Sequence, residues 1–88
     1  MAKTNKLTKL IYMAISANGV KQTEMADALG LEKPNIITMW KQGDSRIPFD
    51  RIPGIALYLK LDVKDLLRLW LEIYEPEHLK IIDQYLVA

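Results

Sequence analysis

Five side chains on one short stretch carry the chemistry that stands out in this chain: Lys33, Pro34, Asn35, Thr38 and Lys41. They occupy the polar positions of a segment whose other positions are apolar. A lysine ammonium donates to guanine O6 and N7, an asparagine amide pairs bidentately with adenine, and a threonine offers a methyl or a hydroxyl to a base edge. Side chains of these types on the outer face of one helix have the complement needed to read bases in a groove about 12 Å wide. A second set, Gln42, Ser45 and Arg46, lies just beyond in a loop and has the donors that suit phosphate oxygens. Thr38 bonding back to its own helix, or Asn35 merely solvated, is the plainer alternative.

The elements that must position these side chains are short helices. No run of alternating polarity reads as a strand, whereas helical spacing recurs throughout. The expected architecture is all-α, a compact bundle of five to six short helices in a single domain over residues 1–88. A first helix carries Leu7, Leu10, Ile11, Ala14 and Ile15 on one face and ends at Asn18–Gly19. A second runs from about Gln22 to Leu29, with Met25, Ala26 and Leu29 inward and Gly30 as its stop. A third starts near Pro34, a residue that suits a first turn, and ends before Gly43. Ile36 and Met39 are its expected apolar stripe. A fourth covers roughly Asp50 to Leu59. Asp62 caps a fifth, which runs to Tyr74, and Pro76 opens a last helix through Leu86.

The pair of helices from Gln22 to Gly43, with its turn at Gly30, resembles the helix-turn-helix of the lambda-repressor-like (Cro/cI, also called XRE) regulators. The resemblance rests on small Ala26, the turn glycine Gly30, and the apolar anchors Met25, Leu29, Leu31, Ile36 and Met39. Phe49, Ile52, Ile55, Ala56, Leu59, Leu61 and Leu66, and the run Asp62-Val63-Lys64-Asp65-Leu66, are similar to the family's fourth helix and the opening of its fifth. It covers about Leu7 to Trp70. Three features depart from the pattern. Glu32-Lys33-Pro34 stands where a Ser or Thr cap is usual, Trp40-Lys41-Gln42-Gly43 is one residue longer before its glycine, and Pro53-Gly54 is unusual.

What the resemblance implies is a sequence-specific DNA-binding transcriptional regulator, a repressor that occupies an inverted-repeat operator as a homodimer, with the helix over residues 34–42 in the major groove. Gln22 inherits a phosphate contact from the family. Lys21 and Thr23 flank it at a helix N-terminus, where backbone donors and the helix dipole favour an anion. The rival is a protein-interaction module of the same fold, such as an antitoxin-type protein that binds a partner and has weak or no affinity for DNA.

Composition narrows the rest. The 88 residues carry 12 Lys and Arg against 11 Asp and Glu, a net of +1, with one histidine and no cysteine. That excludes disulfides, cysteine zinc sites and multi-histidine metal sites. There is no Ser-His-Asp set and no phosphate loop, so neither an enzyme nor a bound cofactor or metal is expected. No apolar run reaches the ~18–20 residues that span a bilayer, and a cytoplasmic protein is expected. The net charge is uneven along the chain. Residues 1–46 hold seven basic side chains against four acidic, while residues 47–88 hold five against seven. The basic half carries the paired helices.

The fifth helix is apolar over an arc of roughly 200°, too wide for a one-sided stripe. It needs a second cover, either the last helix through Leu79, Ile82 and Leu86 or another copy of the chain. Residues 71–88 therefore read as a helical extension, and the last two helices supply the dimer candidates Leu69, Ile73, Leu79, Ile82 and Leu86. Trp40 and Trp70 are expected as core or interface anchors, and His78 as solvent-facing.

Overall fold

The computed structural model describes residues 4–86. Among these the chain is all-α: α1 (Lys6–Ala17), α2 (Gln22–Leu29), α3 (Asn35–Gln42), a single 3-10 turn (Phe49–Arg51), α4 (Ile52–Leu59), α5 (Val63–Tyr74) and α6 (Pro76–Tyr85).

Local signals set the ends. Asn5 closes a capping box at the start of α1. Its Oδ1 accepts from the Thr8 backbone N–H at 2.9 Å, and the Thr8 hydroxyl accepts from the Asn5 N–H at 2.8 Å. That reciprocity also satisfies Thr8, the buried polar residue of the core. Asp62 Oδ1 accepts from the Asp65 N–H at 2.9 Å and caps α5. At the end of α2, Gly30 takes φ +72°. This left-handed turn lets the Leu31 N–H reach back to the Ala26 carbonyl at 2.9 Å. Gly54 serves packing instead. A Cβ there would sit 3.2 Å from Leu29 Cδ2, so glycine is what lets α4 approach α2 closely. The Arg51 guanidinium donates to the Leu29 carbonyl and ties the same two elements together.

Leu7, Ile11, Met25, Ile37, Ile47, Ile52, Ile55, Leu59 and Leu66 are fully buried and form one continuous core with Trp40 and Trp70. α1 packs against α3, α4 and α5, α2 against α3 and α4, and α6 chiefly against α5.

Three expectations are corrected. The inward stripe of α3 is Ile37 and Trp40, not Ile36 and Met39. Trp40 is 2% exposed and Met39 38%, and Ile36 is half-buried. The helix is rotated by about one residue, or roughly 100°, because the large indole has more apolar surface to remove from water than the thioether. Leu10 is exposed on α1, its expected place inside taken by Thr8, whose hydroxyl the capping box satisfies. Leu86 lies just past the end of α6 and is 76% exposed, so it does not cover α5.

Leu79 and Ile82 do turn toward α5. With Phe49, Val63, Leu67 and Leu71 they line a groove of about 490 Å³. Leu69 and Ile73 are half-buried against the core. The middle of α5 and the end of α6 are joined by Arg68, whose Nη1 and Nη2 donate to the two Asp83 oxygens at 2.7 and 3.1 Å. Both groups respond to this pairing. The hydrogen bond to Arg68 holds the Asp83 carboxyl below its ordinary value, and the one to Asp83 raises that of the guanidinium.

Two measurements check this packing. Trp40→Ala should lower unfolding free energy by about 3–5 kcal/mol and Met39→Ala by less than about 1 kcal/mol in urea denaturation. A depressed carboxyl adds stability that is present above the ordinary aspartate range and lost as pH falls through the lowered value. In an NMR titration Asp83 should therefore protonate below the ~3.9 of a free aspartate, and Arg68→Gln should bring it back toward that value.

Candidate nucleic-acid interface

Once Ile37 and Trp40 point inward, the 3.6-residue repeat turns Asn35, Thr38, Met39 and Gln42 outward and leaves Lys41 on the flank toward α1 and α2. Lys33, Pro34 and Asn35 are exposed at the start of α3, and Thr38 and Lys41 are half-buried.

One polar network organises this face. Gln22, the first residue of α2, donates from Nε2 to the Thr38 hydroxyl at 2.6 Å. Its Oε1 accepts from Lys41 Nζ. The same ammonium sits 5.3 Å from the centre of the Tyr12 ring on α1, within cation–π range. A single glutamine thus joins two α3 side chains, and Tyr12 brings in a third helix. Lys21 and Thr23 lie exposed beside Gln22 at the start of α2. That places Lys21, Gln22 and Thr23 at the helix end whose backbone N–H groups point outward.

Gln42, Ser45 and Arg46 do not gather into a second cluster. Gln42 is exposed at the end of α3 and Ser45 is half-buried in the following loop. The Arg46 guanidinium lies elsewhere, 4.9 Å from the Trp70 ring centre and 4.6 Å from that of Tyr74, and Nη2 donates to Glu75 Oε1 at 3.1 Å. Trp70 is itself fixed, donating from Nε1 to the Ile47 carbonyl at 2.7 Å and packing against Phe49 with centroids 4.8 Å apart. This aromatic clamp fastens the loop after α3 to the end of α5. His78 is exposed, with Nδ1 3.1 Å from the other Glu75 oxygen.

A family model for Cro/C1-type helix-turn-helix DNA-binding domains matches residues 6–70. The chain belongs to this family. Comparisons with curated proteins and with solved structures return no match. The match spans α1 through most of α5, so the DNA-binding unit of this Cro/C1-type domain contains the whole Gln22–Thr38–Lys41 network. Tyr74, Glu75 and α6 lie beyond it. No helix among the described residues is long and apolar enough to cross a membrane.

Sequence reasoning missed Tyr12, Met13 and Lys9, which border α3 in the structure. A signal was present, since Tyr12 and Met13 are large apolar residues off the inward stripe of α1. Met39 was assigned inside and stands outside.

The clamp gives a direct test. Arg46→Lys keeps the charge but loses the planar stack and the fork. It should lower stability by about 1 kcal/mol in denaturant unfolding, with the tryptophan emission responding through Trp70.

Proposed function

We propose that this protein is a sequence-specific transcriptional regulator, a repressor that binds an inverted-repeat operator as a homodimer and lays α3 in the major groove. The observation that carries the reading is the outward face of α3 held by Gln22. Lys33, Pro34, Asn35, Thr38 and Lys41 are the proposed base-contacting set, with Asn35 suited to adenine and the lysines to guanine. Prior fixing of Thr38 and Lys41 lowers the side-chain entropy lost on binding. Lys21, Gln22 and Thr23 are the proposed phosphate contacts at the α2 N-terminus. Gln42 and Ser45 extend that contact into the loop. Arg46 would join only by leaving its aromatic seat.

The second protomer is placed against the open apolar surface of α5 and α6, where Ile81, Tyr85 and Leu86 are exposed beside the groove lined by Leu79 and Ile82. Half-sites would then lie about one helical turn, ~34 Å, apart. The same surface supports the rival, a partner-binding protein of antitoxin type. The basic half of the chain faces the DNA in this arrangement. Repression follows if the occupied operator overlaps the polymerase site.

The test is binding to the DNA upstream of the protein's own coding sequence, measured at several salt concentrations. Selective binding should fall by about 1–3 kcal/mol in Thr38→Ala and in Lys41→Ala with folding intact. Equal affinity for random DNA would remove the sequence-specific reading. No affinity at low salt, with a stable hetero-complex, would favour the partner-binding rival.

A further inference from the structure

The outer side of α1 runs beside the network on α3 and is built unlike an ordinary solvated helix face. Tyr12 is 53% exposed and Met13 65%, two large apolar side chains adjacent on the surface. With Lys9 they face Thr38, Lys41 and Gln42 across a groove of about 550 Å³, the size range of small-molecule sites. The groove floor is mostly apolar, and its charged members are two lysines. No acidic residue lines it among the described residues.

We infer that this groove seats one strand of the DNA backbone, with deoxyribose against Tyr12 and Met13 and phosphate at Lys9, beside the flank of α3 that carries Lys41. The inference rests on the reading that α3 enters the major groove. Three observations favour this occupant. The groove is continuous with Thr38 and Lys41, so a duplex engaged by α3 has a strand at its edge. Its charge is wholly positive, which complements a polyanion and repels a second copy presenting the same face. Its apolar floor beneath a cationic rim matches the two chemistries that alternate along a sugar–phosphate strand. Tyr12 also holds Lys41, so α1 shapes the α3 face besides extending it. The contact is with backbone and carries no base information. Its loss therefore weakens all sequences alike.

The experiment measures affinity and salt dependence for operator and random duplexes, using the full chain and the variants Lys9→Gln, Tyr12→Ala, Met13→Ala and Lys41→Ala. These side chains lie at the surface or its edge, and circular dichroism verifies each fold. The expected result for Lys9→Gln is a salt slope shallower by about 1. Met13→Ala should weaken operator and random DNA by the same factor, about 3- to 10-fold, and Tyr12→Ala should weaken both while also lowering selectivity, because it releases Lys41. If these three variants match the parent in affinity and slope while Lys41→Ala loses selectivity, the inference falls and the α3 reading stands. If the parent binds no DNA at low salt, both fall. If Tyr12→Ala instead dissociates a dimer by sedimentation, the occupant is a second copy and the inference is overturned.

Discussion

Burial of the Trp40 indole together with Ile37 in the core sets the rotation of α3, and the rest of the candidate site depends on that rotation. A helix turned by one residue exposes a different set of side chains. With Trp40 inside, Asn35, Thr38 and Gln42 face outward, and Lys41 falls where Gln22 and Tyr12 can both reach it. A core built on Ile36 and Met39 would have left the large indole in water. It would also have broken the contacts that align Thr38 with Gln22. Apolar burial and polar positioning are thus one constraint here, satisfied by one rotation.

α5 serves two purposes around that constraint. Its inward face completes the core through Leu66 and Trp70. Its last turn, with Glu75 just beyond, receives Arg46 from the loop that follows α3. That loop is pinned at Ile47 by the Trp70 indole and at Arg46 by the rings. A loop so held is a rigid exit for α3, well inside the stretch that the family model covers. α6 is attached more lightly, by the Leu79 and Ile82 side chains and an exposed ion pair, and it has no fully buried residue. An exposed pair of that kind contributes little net stability. Much of the apolar surface of α6 is therefore available to a second chain.

The overall charge first reads as an objection to a polyanionic partner. Its distribution answers that objection. Lys9 lies in α1, Lys21 just before α2, Lys33 just before α3 and Lys41 within α3, whereas Glu72, Glu75, Glu77 and Asp83 lie toward the other end of the chain. The two signs are divided unevenly along the chain, and a small net charge is compatible with a basic excess in the half that carries the paired helices.

By itself the sequence determined the elements: Gly30, Gly43 and Asp62 mark their ends, because a left-handed turn or a side-chain cap depends on a few adjacent residues. The order of helices was legible for the same reason. What only the tertiary structure decided are the choice of Ile37 over Ile36 and Met39 as the inward partner of Trp40, itself legible as a core or interface anchor, the seat of Arg46 on Trp70 and Tyr74, and the meeting of Tyr12 with Lys41. Those partners stand far apart in the chain. Local periodicity leaves helix rotation open to within about one residue. Only packing against α1, where burying the indole outweighs burying a thioether, selects the rotation that creates the site.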